Sequence, residues 1–478
     1  MSIPDGYVLD GEFTHPDAIH RDRFPLSFAQ HRLWHLMQIE GTGEAFHIPF
    51  GLRLKGDLNR TALFQALDRI VARHEILRTT FPSFDGEPVQ QVDPLEDCTF
   101  HLIDNDLRLQ VNTDKELDRL VEFEANAPVD SESGPLIRGR LIRLSECDHL
   151  LLITMHNLIS DGWSKGVLAK ELGMLYGAFQ RSEDDLPPEP DLQYAEYSVV
   201  QRYWMECEIM QGQAAYWKVA LAGALALTQL PTEHHRSYPR DHRGDFVQLE
   251  LDEPLSSKLK ALSARHNVHI PVTMLAAWAA FLGRLSSQQD VVIGMPAASR
   301  GRSEIKNLVG LFENLLAVRV DLSASPTVGQ LLKRVMAQVH AAEQRQDIPF
   351  EQVLEIVQPK GSLAQTQLFQ TLFTWQNEAE PSLEFPGLEA HFLPMRHRVA
   401  KFDLTLSLWE KDETIVGGLE YAASLFGKAT IVRLLAHFHN LLQAMVADDE
   451  IFVDRLPTLA ESEWQCESSV CRGEESWA

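Results

Sequence analysis

No paired cysteines, membrane-length apolar run or basic tract organises this sequence. Its five cysteines (Cys98, Cys147, Cys207, Cys466 and Cys471) are scattered through 478 residues without C-x-x-C spacing. That argues against a disulfide framework and against a zinc ribbon, and for reduced thiols in a cytoplasmic protein. The longest nearly apolar stretch, Val272 to Gly283 (VTMLAAWAAFLG), falls short of the ~20 residues a bilayer-spanning helix needs. The opening residues, MSIPDGYVLDGE, are acidic and polar and lack the charged-then-apolar pattern of a secretory signal. Basic residues are in deficit: 43 Lys and Arg face 68 Asp and Glu, a formal charge of −25. Nucleic-acid binding needs a basic face, so that partner class is disfavoured, and an anionic membrane surface with it.

What is present is ordinary for a globular chain, with 45% hydrophobic and 23% charged residues. The length exceeds one normal core and predicts two lobes of roughly 200 residues each. Helix and strand signals alternate irregularly, a mixed α/β pattern. Arg60 to Leu77 places Leu63, Leu67, Ile70 and Val71 on one helical face, with Asp57 as N-cap. His149 to Met155 (HLLLITM) reads as a buried strand. It runs into the polar loop HNLISDGWS and then a helix carrying Val167, Leu168, Leu172 and Leu175. A strand that delivers a polar loop into a helix puts that loop at a sheet edge, where sites are commonly built. The acidic, proline-rich EDDLPPEPD at 183–191 reads as a linker between a lobe at 1–182 and a lobe at 192–460, with 461–478 a tail. The second half predicts helices at Val272–Leu285, Thr327–Gln344 and Lys428–Val446. Its strands are expected at Val291–Met295, Leu315–Val320, Leu368–Trp375, Phe402–Leu408 and Ile415–Tyr421.

The densest polar constellation is Met155 to Ser164 (MHNLISDGWS). A histidine after a buried strand is commonly a satisfied structural residue, and Asp-Gly alone is commonly a turn. Here His156, Asn157, Ser160, Asp161 and Gly162 are packed directly behind an apolar strand, where they can project into a cleft. A basic stretch, His234 to Arg243 (HHRSYPRDHR), reads either as a solvated loop or as a docking patch for acidic helices and phosphate. His234, His235 and His242 lack a completing carboxylate or Cys, so no metal site is assigned.

With those residues in view the chain resembles the condensation domains of nonribosomal peptide synthetases, over nearly its whole length. PLSFAQHRLWHL (Pro25 to Leu36), RHEILRTTF (Arg73 to Phe81), the loop at His156 to Gly162 and YAEYSVVQRYW (Tyr194 to Trp204) look like the first four family motifs. IGMPAASR (Ile293 to Arg300), GLFENLL (Gly310 to Leu316) and RQDIPFEQV (Arg345 to Val353) look like the last three. The resemblance implies two chloramphenicol-acetyltransferase-like lobes in a V, with the loop at the floor of a tunnel. Carrier proteins would dock at its mouths, each with an acyl or aminoacyl thioester on a phosphopantetheine arm, beside adjacent synthetase domains, and no permanently bound cofactor is implied. It makes His156 and Asp161 structural, Arg300 the ion-pair partner of Asp161, and Gly162 a backbone contact near the reacting carbonyl. It places Trp163, Ser164, Glu313 and Asn314 along the tunnel.

The sequence departs from the family at the second histidine of H-H-x-x-x-D-G, where Asn157 stands. Imidazole titrates near neutrality and can take and return a proton; a carboxamide offers a donor and an acceptor but cannot be protonated usefully. Glu313 stands where a small apolar residue is usual, Leu315 where Thr is usual, and Arg345 where His is usual. Glu313 is expected to be either solvated or paired, with Arg319 or Arg345 as partner, because a buried carboxylate without one is costly. Two readings stay open. One is a non-condensing member that presents an aminoacyl carrier protein to a trans-acting tailoring oxygenase, as X domains do for cytochromes P450 and interface domains do for β-hydroxylases in siderophore assembly. The intact Asp161-Gly162 favours the interface type. The other is a working amide-forming catalyst in which Asn157 suffices.

Overall fold

The computed structural model describes residues 23–457 apart from 41–45, 111, 184–187, 225–226, 237–239, 298–299, 301–302, 358–367, 377–382 and 394–398. The 461–478 tail, and residues 184–187 of the proline-rich stretch at 183–191, lie outside the described residues.

Two large sheets carry the architecture. The first runs Leu388–Leu393, His47–Gly56, Asp148–His156, Ile137–Ser145, Leu102–Asp106, antiparallel except for its last pair. The second runs Leu315–Asp321, Asp290–Pro296, Thr371–Gln376, Leu404–Lys411, Thr414–Ala422, Gly244–Glu250, with two parallel pairs at its centre. A small sheet of Arg23–Pro25, Glu87–Val92, Thr79–Thr80 and Ser83–Phe84 flanks them. The chain crosses between the large sheets: Leu388–Leu393 leaves the second to pair with His47–Gly56 of the first.

HLLLITM forms the centre of the Asp148–His156 strand, and its unbroken apolar character follows from burial on both faces. That strand lies between two neighbours, so the loop after it is at the end of a central strand and not at the sheet edge expected for it. Each large sheet has its own apolar core. In the first, Leu63, Leu67 and Ile70 meet Leu151, Ile153, Leu168 and Leu172. In the second, Trp278 and Phe281 stack at 5.6 Å and Phe438 closes edge-on against Trp278 at 5.5 Å. The apolar run VTMLAAWAAFLG belongs to the helix Ile270–Ser286, which is buried almost all round. Among the described residues no single helix is long and apolar enough to cross a membrane.

The helix expected over 60–77 ends earlier, at Arg73. His74 takes an extended conformation (φ −109°, ψ 99°) and a short 3₁₀ turn, Glu75–Arg78, follows. Its N-cap is Asn59, whose side-chain oxygen accepts from Ala62 N at 3.1 Å, and not Asp57, which lies two residues too far upstream. In the second half, every expected strand and helix has a counterpart; Thr327 proves to cap its helix from outside.

The cap assignment is testable. Asn59→Ala should cost about 0.5–2 kcal/mol in urea unfolding, whereas the exposed Asp57→Ala should stay within about 0.5 kcal/mol. Equal losses would overturn the assignment.

Candidate functional site

The site is built where the Asp148–His156 strand ends. Main-chain hydrogen bonds fix the loop first: His156 N donates to Leu136 O (2.9 Å), Asn157 N to Phe46 O (2.7 Å) and Ile159 N to His156 O (3.0 Å). His156 is fully buried and its Nδ1 accepts from Leu158 N at 3.1 Å. Gln30, from the first motif, donates to Leu158 O at 2.8 Å. His156 thus closes the loop on itself and faces His47, whose ring lies 5.8 Å away. Burial holds the His47 imidazole below its ordinary pKa, although its ring nitrogen bonds Ala125 O.

Asp161 begins the helix Gly162–Gln180 as its N-cap, in a reciprocal capping arrangement with Ser164. Its Oδ1 accepts from Ser164 N (2.8 Å) and Arg300 Nη2 (2.7 Å), and its Oδ2 from Phe312 N (3.1 Å). Arg300 also bonds Ile305 O (3.0 Å) and Leu308 O and stacks on the Phe312 ring, 4.4 Å from its centroid. The Ser164 hydroxyl has one hydrogen to give and lies 2.7 Å from Asp161 Oδ1. It accepts from Arg300 Nη2 (2.9 Å) and Gly310 N (3.1 Å). A Cβ on Gly310 would stand 2.0 Å from the Tyr194 ring. That ring cannot retreat, because its hydroxyl is held by Ser27 Oγ (2.9 Å) and Leu311 O (2.7 Å). The same helix is pinned again at Glu171, which accepts from Arg73 Nε (3.1 Å) and His74 Nε2 (2.7 Å). Burial pushes the Glu171 carboxyl up, but the His74 bond and the charges of His74 and Arg73 outweigh it and hold it below its usual value.

Asn157 is buried, and the group that reaches it from the second sheet is an ammonium: Lys401 Nζ lies 3.4 Å from Asn157 Oδ1, a long contact. Lys401 is also the cation whose charge acts on Glu420, a half-buried carboxyl bonded by the Thr405 side chain. Burial dominates there and raises Glu420 to about 7.

The remaining candidates from the sequence sit apart from this knot. Trp163 is 42% exposed, its indole N–H donating to Lys306 O at 2.9 Å. Gly162 is open: a Cβ there would meet nothing within 4 Å. Glu313 is solvent-exposed, while Arg319 pairs with Asp290 (2.8 Å) and Arg345 lies over Tyr216. Asn314 is spent on the following loop, donating to Gln346 O and Ile348 O and accepting from Phe350 N. In the basic stretch, Arg236 and Arg240 converge on the buried Asp403 and Arg243 pairs with Asp241. Sequence reasoning did not single out Ser27, Gln30 or Tyr194, although all three lie inside family motifs. Lys401 and Glu420 carried no signal beyond a charge beside or within a strand.

Comparison with known proteins bears on the family and the fold. A family model described as Condensation domain matches residues 20–465. The chain is 42% identical over 446 residues to malpinin synthetase of Mortierella alpina, covering 93% of this chain and 6% of that protein. It is 39% identical over 465 residues to a linear gramicidin synthase of Brevibacillus parabrevis, covering 96% of this chain and again 6% of the relative. Among solved structures, the X-domain from teicoplanin biosynthesis superposes with a TM-score of 0.85 at 28% identity, over 93% of this chain and 99% of that one. The same domain has been solved in complex with OxyB, with a TM-score of 0.84. A four-domain nonribosomal peptide synthetase matches with a TM-score of 0.81 at 22% identity, over 95% of this chain and 35% of that one, a likeness of fold.

The ion-pair knot predicts a contrast between adjacent residues. Asp161→Asn leaves Arg300 buried without its counter-charge and should cost about 3–5 kcal/mol in denaturant unfolding. Gly162→Ala, with open space for its methyl, should shift stability by about 1 kcal/mol or less. An Asp161→Asn protein as stable as wild type would refute the structural role of the pair.

Proposed function

Because this chain belongs to the condensation-domain family of nonribosomal peptide synthetases, we propose that it receives a carrier-tethered aminoacyl or peptidyl thioester and presents it to another enzyme without forming the amide itself. The observation that carries this reading is the pairing at residue 157. Amide formation requires the attacking amine to shed a proton. A carboxamide cannot take that proton, and the group that meets it, the Lys401 ammonium, has only protons to give. The surrounding frame is nonetheless intact: Asp161, Ser164 and Arg300 hold the loop, which supports a retained shell for carrier docking around a residue 157 that cannot accept a proton.

Recruitment of a trans-acting tailoring oxygenase is supported by the likeness to the X-domain that has been solved with OxyB. Here the unaltered Asp161-Gly162 favours the interface type of domain, which serves a β-hydroxylase. The phosphopantetheine arm would enter as part of the substrate, with carrier protein and adjacent synthetase domains as partners. The intact frame also supports a second reading, a catalyst in which Asn157 orients the amine.

One experiment separates them. Donor- and acceptor-loaded carrier proteins are incubated with wild type, Asn157→His and Asn157→Ala, and the dipeptidyl thioester is followed by intact mass. The expected result is no product above background in wild type and a gain of about 10²-fold or more in Asn157→His. Product from wild type that disappears in Asn157→Ala would establish the catalyst instead. In parallel, immobilised protein should retain aminoacyl carrier protein together with a cognate hydroxylase at micromolar concentration; retention of neither removes the recruitment role.

A further inference from the structure

Leu404, Leu406 and Leu408 on one strand, and Leu419 and Tyr421 on the next, are wholly or almost wholly buried in the second core. Side chains alternate across a sheet, so the residues between them face the other way. On that opposite face Thr405 stands directly beside Glu420, and Glu420 directly beside Phe246 of the edge strand. The Phe246 ring leans over Gly418, where an added Cβ would lie 2.1 Å from it, and the ring is 47% exposed. Lys401 links this face to the catalytic loop position, since its ammonium contacts Asn157 while its charge acts on Glu420.

We propose that Glu420, with Thr405 and the Phe246 ring, forms a subsite for the protonated α-amine of a carrier-tethered aminoacyl group. This rests on the reading that tethered aminoacyl groups enter between the two sheets. The carboxylate is under-compensated: among the described residues no cation forms an ion pair with it, and Lys401 is drawn towards Asn157. The neighbouring carboxylate, Asp403, is already committed to Arg236 and Arg240. A half-buried carboxylate with a hydroxyl on one side and an aromatic face on the other suits a small ammonium ion, which gains a charge-assisted hydrogen bond and a cation–π contact. One carboxylate and one hydroxyl are too few ligands for a divalent metal. Burial that lifts Glu420 to about 7 marks a site where an incoming cation is favoured over continued isolation. An amine held there stays an ammonium and is not a nucleophile, which deepens the non-condensing role.

The test uses two unreactive probes, glycyl- and acetyl-pantetheine with the thioester replaced by an amide, titrated calorimetrically into the whole chain. Wild type should bind the glycyl probe about tenfold or more tightly than the acetyl probe. Glu420→Gln, nearly isosteric and relieved of a buried charge, should bring that ratio close to one while leaving acetyl affinity unchanged. Thr405→Val should lower the ratio part of the way. Equal binding of both probes by wild type, or equal weakening of both in Glu420→Gln, overturns the subsite but leaves tunnel entry standing. Binding of neither probe removes tunnel entry and the subsite together.

Discussion

A buried carboxylate–guanidinium pair holds this molecule's working parts in register. Asp161 and Arg300 are 139 residues apart and both almost wholly inaccessible. Removing two charges from water is expensive, and their mutual attraction offsets it only when the remaining lone pairs and N–H groups are also bonded. Here nearly all of them are: Asp161 takes the first-turn amide of its own helix, the Ser164 hydroxyl and the Phe312 amide, while Arg300 fans out to the carbonyls of Ile305, Leu308 and Gly310. The pair therefore welds the start of one helix, built on the first sheet, to the loops that lead out of and back into the second. Tyr194 and Gln30 tighten the same knot from two further segments, so residues from five stretches of sequence depend on one interaction.

That convergence explains what could be read from the sequence. HLLLITM was recognisable because a strand buried on both faces has no reason to alternate, and the helix after it because its apolar residues recur at helical spacing. Asp161 and Ser164 stand out in a dense polar loop, but the pairing of Asp161 with Arg300 comes only from motif resemblance, since nothing local says that residues so far apart will touch. The His47–Gly56 strand was not visible because Pro49 and Gly51 argue against it by propensity; pairing on both sides overrides that preference. The crossing strand Leu388–Leu393 was hidden for a different reason. Its partner lies more than 300 residues upstream, and short-range pattern carries no information about such pairing. Glu313 could be bounded but not placed: a carboxylate there has to be solvated or paired, and the structure leaves it in solvent.

The electrostatics of the cleft follow from which sheet contributes which charge. The first sheet brings neutral or fully paired groups to the loop, whereas the second brings an ammonium and a half-buried carboxyl, Lys401 and Glu420, on the face opposite its core. The ammonium has only protons to give, and the carboxyl acts on it only through their mutual charge. An ammonium beside residue 157 opposes the build-up of further positive charge on the asparagine's side of the loop.

Residue 157 is free to vary because its main chain, and not its side chain, holds the loop. The Asn157 amide donates to Phe46 O, its carbonyl receives Ser160 N, and the neighbouring turn is closed by His156 and Gln30. Exchanging an imidazole for a carboxamide removes no bond on which the strand, the turn or the ion-pair knot relies. A lineage could therefore lose proton transfer at this position while retaining the two-sheet frame and whatever docks on it. In this architecture the frame around residue 157 is held without its side chain, so the scaffold carries no energetic memory of which side chain stands there.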